Sequence, residues 1–366
     1  MSGDADIAQR RPTVLAPWLQ TQLESLLTQR GHAWLLQGPS GLGQFDLALA
    51  CARAWLCEQA NGLGACGECG SCHAVDVHTH PDLFMLLPEV LALELGWPLD
   101  QKTQEKLDAK ERKPSKEIKV DAAREMVSFT QFTRSRGTTK VVVVFPAERM
   151  NHITANALLK TLEEPPGAVK FILATEAAHQ LLPTIRSRCI AHTLVWPAFG
   201  EALGWLNQNV NLPIEGSVPK GAKPISEADL QTVLVAAGGR PADALHWLDA
   251  APAAESANAW DALPAAMRRG EAAALAGWAP VDAISILQKI CHDTLALRLG
   301  SAPRFFSTKA IGFQADTLAP GSGNLKALAV WSKELTQSAR TAEHPYNAGL
   351  MIEHLVSRAC IALNTK

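Results

Sequence analysis

The stretch Gly38-Pro39-Ser40-Gly41-Leu42-Gly43-Gln44-Phe45 constrains this chain more than any other. It follows a short apolar run, Ala33–Leu36, and precedes Asp46–Trp55, whose Leu47, Leu49, Ala50 and Ala54 fit a helix. A strand, a glycine-rich turn and a helix start together make a phosphate cradle, because backbone N–H groups there point at an anion. A working P-loop reads G-x-x-x-x-G-K-[ST]; its Lys reaches the β- and γ-phosphates and its hydroxyl holds Mg²⁺. Here Gly38, Gly41 and Gly43 are in place, but Gln44 stands where Lys belongs and Phe45 where the hydroxyl belongs. Gln brings no charge to a triphosphate, and Phe offers no ligand to a metal. The cradle is kept and its chemistry is gone.

The same loss recurs downstream. In P-loop ATPases a hydrophobic strand ends in an acidic pair, one acid helping to hold Mg²⁺ and its neighbour polarising the attacking water. The matching strand here, Val141–Val144, ends in Phe145-Pro146. Glu148 stands two residues too late and reads as an ordinary acid at a helix start. Both halves of a hydrolysis site are missing.

Further apolar runs at Leu83–Leu87 and Val169–Thr175 read as strands, and the domain closes around Ser187–Val195. Val141–Phe145 and Val169–Thr175 are continuous rather than alternating, which marks buried parallel strands. Helical patterns over Val14–Gln29, Val120–Thr133 and Asn151–Leu162 separate them, so a doubly wound α/β domain is expected. Beyond Pro197 the pattern is helical: Phe199–Asn209, Ser226–Ala237 and Ala242–Leu248. The stretch Ala250–Ala259, rich in Ala, Pro and Ser, marks a second boundary. After it, faces built from Val281, Ile284, Leu287, Cys291 and Leu295, from Leu328, Trp331 and Leu335, and from Met351, Leu355 and Val356 predict a helical bundle. Asp100–Lys119 holds seven basic and five acidic residues around Pro114 and reads as a solvated insertion, mobile or helical in part.

A chain of 366 residues, 47% hydrophobic, can bury two or three cores. Its formal net charge of -2 gives no bulk attraction to nucleic acid. Met1–Pro12 is polar and lacks the apolar core of a signal peptide, and no apolar run has the length of a membrane span. A soluble, cytoplasmic protein is the expectation. Eight cysteines in a reducing compartment point to metal or packing roles rather than disulfides.

Four of these cysteines are clustered as Cys57-x8-Cys66-x2-Cys69-x2-Cys72 on a glycine-rich stretch. Zn²⁺ accepts four thiolates tetrahedrally, and a closed four-sulfur shell leaves no place for water, so the ion would be structural. An iron–sulfur cluster and unligated packing cysteines are the alternatives, although four thiols on a polar loop pack poorly. Cys51, Cys189, Cys291 and Cys360 read as buried small residues.

Three segments carry a family resemblance. They are Asn156-Ala157-Leu158-Leu159-Lys160-Thr161-Leu162-Glu163-Glu164-Pro165-Pro166, Phe171–Thr175, and Leu182-Pro183-Thr184-Ile185-Arg186-Ser187-Arg188-Cys189. With the four-cysteine spacing after the P-loop helix, they resemble the AAA+ clamp-loader subunits of bacterial DNA polymerase III. A degraded P-loop beside an intact Ser187-Arg188-Cys189 is similar to the delta-prime type. The gamma/tau type keeps the Lys and the acidic pair, and the delta type lacks Ser-Arg-Cys and the zinc cysteines. The match is strong over residues 14–197, while the remainder agrees only in helical character. The stretch Leu87–Lys119 is longer than the family leads one to expect.

The resemblance implies an AAA+ domain over 1–196 with a zinc module at 57–72, a small helical lid over 197–250 and a helical collar over 251–366. It implies a non-hydrolysing subunit of a DNA-directed DNA polymerase holoenzyme, without independent activity. Its partners would be gamma/tau and delta subunits in a hetero-oligomeric ring and, through that ring, the sliding clamp and primed DNA. Arg188 would serve as an arginine finger on ATP held by a neighbouring gamma/tau subunit, flanked by Ser187 and Cys189. Standing alone, Arg188 would read as a surface arginine in an ion pair. In the ATPase lid a sensor Arg reads the nucleotide; registering on Asp243-Ala244-Leu245 puts Ala242 at that position and Arg240 two residues early. Two other functions compete with this one: an ATPase with unusual catalytic residues, and a nucleic-acid-binding zinc protein. The cysteine stretch lacks the interleaved basic and aromatic residues that the latter needs.

Overall fold

The computed structural model describes residues 15–210, 226–250, 253–312, 324–342 and 347–365. The polar start Met1–Pro12 and part of the Ala250–Ala259 boundary lie outside the described residues. The chain divides into two compact units: Met1–Gly221 with Arg240–Asp243, and Ala222–Gly239 with Ala244–Lys366.

The first unit is built on five strands, β1 (Ala33–Gln37), β2 (Leu83–Leu86), β3 (Lys140–Val144), β4 (Val169–Thr175) and β5 (Ile190–Thr193). They form one sheet in the order β2-β3-β4-β1-β5, with every pairing parallel. Parallel neighbours cannot be joined by a tight hairpin, so each connection carries helix. With α1 (Pro17–Thr28) before β1 and α9 (Phe199–Val210) after β5, the connecting helices are α2 (Gln44–Leu56), α3 (Gly70–Asp76), α4 (Glu89–Glu94), α5 (Gln101–Asp108), α6 (Val120–Gln131), α7 (His152–Glu163) and α8 (Pro183–Arg186).

The strands β1, β3 and β4 are buried on both faces, which is why their sequences are continuous apolar runs. Leu35, Val142, Val144, Phe171 and Leu173 point to one side and join Met126 of α6 and Leu158 and Leu162 of α7 in a single core. Helix α2 covers alternate positions on the other side with the fully buried Leu47, Ala48 and Cys51. Edge strand β5 is largely exposed, unlike the buried central strands. The carboxyl end of β1 therefore delivers Gly38–Gly43 to the top of the sheet, where ligands of doubly wound folds sit.

The charged insertion departs from the sequence expectation in part. Helix α5 buries no residue and is the wet face that its composition implies. The flanking segment is fixed instead: Leu91, Ala92, Leu95, Trp97 and Leu99 pack with Phe45, Leu87 and Phe145 in a small core. Glu89 pins the return of the chain. It accepts from Arg112 Nη2 at 2.8 Å, Lys119 Nζ at 2.9 Å and Ser115 N–H at 2.8 Å. Burial alone would raise this carboxyl, but the donors from Arg112, Lys119 and Ser115 outweigh it and hold it at about 2. These contacts join residues 23 to 30 positions apart, beyond any local pattern. Glu89→Gln is expected to cost about 2 kcal/mol in urea unfolding at pH 7, the scale of a hydrogen bond to a charged group. A carboxyl held below its ordinary value stabilises above that value and stops doing so as pH falls through the folded one. The gap between wild type and variant should therefore close between pH 4.5 and about 2.

The second unit contains α10 (Glu227–Ala236), most of α11 (Pro241–Ala250), α12 (Ala253–Arg269), α13 (Pro280–Arg298), α14 (Thr308–Ile311), α15 (Asn324–Ala339) and α16 (Ala348–Asn364). Its core joins Trp260, Met267, Ile284, Leu287, Ile290, Leu328, Trp331, Leu335, Leu355 and Val356. Most residues of the predicted faces are thus buried; Leu295 and Met351 are partly buried against the core, and Val281, in the first turn of α13, is 47% exposed. Two polar groups are buried with full compensation. Lys289 Nζ donates to Ala236 O at 2.8 Å and lies 4.3 Å from the Trp247 ring, while Asp293 accepts from the backbone N–H of Arg304, Phe305 and Phe306. Among the described residues no helix is long and apolar enough to cross a membrane.

Candidate functional site

The glycine-rich turn has the backbone of a phosphate cradle. Gly41 and Gly43 take φ of +76° and +96°, conformations that L side chains rarely adopt, and Gly43 precedes the first residue of α2. The side chains around it close the loop on itself. Gln44 is buried, and its Nε2 donates to Gly38 O at 2.8 Å and Pro39 O at 2.6 Å. The amide that replaces the lysine is consumed in bracing the loop.

The two positions that would ligate Mg²⁺ are in contact with each other as hydrocarbon. The Phe45 and Phe145 rings lie 5.3 Å apart between centroids, in the small core that also takes in Trp97. Glu148 braces the sheet instead of a metal. It accepts from Thr175 Oγ1 at 2.7 Å and from Glu176 N–H at 3.0 Å, tying the start of a 3₁₀ turn to the end of β4. Arg240, two residues before the aligned sensor position, nevertheless reaches the loop. Its Nη1 lies 2.6 Å from Ser40 Oγ and 2.8 Å from Asp243 Oδ2, and Ser40 Oγ in turn donates to Asp243 Oδ2 at 3.0 Å. Asp243 is the member of this set that sequence reading missed; no local signal joins residues 203 positions apart.

Arg188 lies just beyond α8 on a surface turn, with Arg186 and Ser187 exposed beside it. Its guanidinium is held from two sides: Nε donates to Glu163 Oε1 at 2.6 Å, Nη2 to the same carboxylate, and Nη1 to Thr184 O at 2.8 Å. Glu163 is the last residue of α7, where a carboxylate faces the negative end of the helix dipole, so the arginine relieves a local repulsion. The three predicted residues part ways here. Ser187 Oγ is turned back to Thr184 O at 3.1 Å, and Cys189 packs against the sheet core, its thiol pushed up to about 12 by burial. Of the three, Arg188 is the one whose charged head group lies at the turn.

The cysteines converge. Sγ of Cys57 lies 3.5 Å from that of Cys66 and 3.8 Å from that of Cys69, and Cys66 and Cys72 are 4.0 Å apart. A tetrahedron with bonds of about 2.3 Å has edges of about 3.8 Å, so these spacings suit one ion held by four thiolates. All four sulfurs lie within 4.8 Å of one another and none is in a disulfide. Backbone N–H groups point at the sulfurs: Cys66 N at Cys57, and Cys72 N at Cys69, where α3 begins. Such donors favour the thiolate form that a metal needs. Because Cys57 ends α2 and Cys72 lies inside α3, the cluster fastens two helices together, as does the Arg53–Asp76 pair at 2.7 Å.

Comparison with known proteins places these features. A family model described as DNA polymerase III, delta subunit, matches residues 16–195. The DNA polymerase III subunit delta' of Pseudomonas aeruginosa is 38% identical over 192 residues, covering 52% of this chain and 52% of that protein. Its Escherichia coli counterpart is 37% identical over 201 residues, covering 54% and 53%. The tau subunit of Escherichia coli is 31% identical over 159 residues, 43% of this chain and 21% of that protein. The chain spans about half the length of the delta' relatives it matches. Over residues 16–195, the span that holds the sheet, the closed P-loop and the four converging thiols, this chain is similar to the DNA polymerase III delta-prime subunits.

Proposed function

We propose that the chain is a non-hydrolysing subunit of a clamp loader, which scaffolds ATP-dependent loading of a sliding clamp onto primed DNA and lends Arg188 to a neighbouring gamma/tau ATPase. The observation that carries this reading is the contact between Phe45 and Phe145, which leaves no side-chain oxygen at either metal-ligand position. A chain without Mg²⁺ ligands cannot neutralise the charge of a transferring phosphoryl group. It can still act on another subunit's nucleotide through a surface guanidinium, and the partly exposed Arg188 on its surface turn supports that role. Zinc on Cys57, Cys66, Cys69 and Cys72 would be structural: four thiolates fill its shell and leave no position for water or substrate. In this reading residues 1–196 are the AAA+ domain, 197–250 supply the lid and 251–366 the collar that meets delta and gamma/tau partners. The protein would act in the cytoplasm.

The test uses the isolated chain. Titration with a fluorescent ATP analogue should give no saturable binding in the micromolar range, and incubation with ATP and Mg²⁺ no turnover. Micromolar affinity with hydrolysis would overturn the reading in favour of an ATPase with unusual catalytic residues.

A further inference from the structure

Strand β2 is an edge of the sheet, with β3 as its single strand neighbour among the described residues. Val141 N–H donates to Asp82 O at 2.9 Å and Phe145 N–H to Leu86 O at 3.1 Å, so the even-numbered residues here serve the ladder. Along a strand the backbone groups of successive residues point to opposite edges, which turns the N–H and C=O of Met85 away from β3. This edge floors a cavity of about 670 Å³, walled by α5 and the turn before it and by α6. The wall on the α5 side is fixed, since Trp97 is buried and stacks on His78 with ring centroids 3.9 Å apart. The side chains of β2 alternate across the edge. Leu83 and Met85 lie with Trp97 and Leu99 in the small apolar core, whereas Phe84 lies with Ala122 of α6 in the main one. Leu83, Phe84 and Met85 are each only half-buried.

The charge of the walls is uneven. Outside the Glu89–Arg112–Lys119 cluster, the carboxylates of Asp100, Glu117, Asp121 and Glu125 face the ammonium groups of Lys102 and Lys106. Glu125 stands one turn beyond Ala122 on the same face of α6. Burial and the charges of Asp100 and Asp121 push its carboxyl above the ordinary value, and Lys102 offsets part of that. A cation placed there would relieve the repulsion.

We propose that the outer edge of β2 binds an extended peptide of a partner protein by strand addition, and that this peptide alternates apolar residues with lysine or arginine. Met85 N–H and C=O would pair with the peptide backbone. Its apolar side chains would enter beside Leu83, Met85 and Leu99, and its cations would face Asp121 and Glu125. The period of two comes from the pleat, and the sign of the charge from the carboxylates. This site lies apart from Arg188 and from the nucleotide loop, and it adds a partner to the proposed function.

The probe is a fluorescein-labelled heptapeptide, Val-Lys-Val-Lys-Val-Lys-Val, titrated with the full chain and followed by anisotropy. One comparator carries glutamate in place of lysine, and another has the same composition with valines and lysines in two blocks. The alternating lysine peptide should bind roughly tenfold more tightly than either. Glu125→Lys, on the exposed side of α6, should weaken it roughly tenfold by setting like charges against each other, and should favour the glutamate peptide instead. Met85→Pro should also weaken it roughly tenfold, by removing the edge N–H while the ladder to β3 stays whole. Circular dichroism checks that each variant is folded. Should proline prevent folding, the charge swap at Glu125 carries the test. Equal binding of the alternating and block peptides would overturn the proposal, as would affinity unchanged in a folded Glu125→Lys chain or no saturation at millimolar peptide. A wild-type chain that dimerises on size-exclusion chromatography, and a folded Met85→Pro chain that does not, would assign the edge to a second copy and overturn it too.

Discussion

Arg188→Ala is expected to slow ATP hydrolysis at the adjoining subunit's site by roughly 10³- to 10⁵-fold, the range over which arginine fingers act. The guanidinium is now engaged by Glu163 and Thr184 O, and it must be released to act. Side-chain exposure of 32% for Arg188 and 47% for Glu163 makes this a surface pair, and such pairs are worth about 0–1 kcal/mol. A phosphoryl group developing charge in a water-poor interface offers far more. In the proposed role Glu163 would serve as a rest position for the head group, one that competes with it little. Arg188→Lys should recover little, because a point charge lacks the planar fork that grips two oxygens. Glu163→Gln should weaken the effect of Arg188 modestly by letting the head group wander. The measurement is single-turnover hydrolysis in a reconstituted complex containing gamma/tau subunits, with assembly checked by size-exclusion chromatography. An unchanged rate in an intact Arg188→Ala complex would remove the finger from the account.

Cys66→Ser should abolish zinc binding and lower the melting temperature of the full chain. Metal analysis after dialysis should find about one zinc per wild-type chain, since a four-thiolate shell closes around a single ion. In the variant it should find almost none. Binding of a structural ion is folding free energy, so its loss should appear as stability. The end of α2 and the start of α3 should become cleavable by protease, because the cluster joins Cys57 at one to Cys72 in the other. At a temperature where the variant is folded, hydrolysis stimulated through Arg188 should persist. A wild-type chain that carries no zinc under reducing conditions would leave the cysteines as packing residues.

The two experiments probe parts of the molecule that were unequally visible in the amino-acid sequence. The four thiols were legible as a candidate metal site because metal sites favour short ligand spacings, and two residues separate successive cysteines after Cys66. The central strands were legible because burial on both faces leaves unbroken runs such as Val141–Val144. Arg188 was legible as a candidate only through its neighbours in the family pattern. Its partner Glu163 was not, because an ion pair across 25 residues has no periodicity. The insertion was half legible: the polar α5 fits its composition, whereas the Glu89 cluster and the Trp97 contact depend on chain return.

The sequence by itself determined which groups are absent from the nucleotide site, since Gln44, Phe45 and Phe145 are read directly and no folding can give them the missing chemistry. It also determined the parallel sheet, because period and burial are local properties of each segment. Only the tertiary structure decided what took the vacated places. The two phenylalanines closed on each other, the glutamine amide turned to the loop carbonyls, and a carboxylate from 203 residues away settled on Ser40. These outcomes follow from contacts between distant segments, and a contact of that kind exists only once the sheet has brought the segments together.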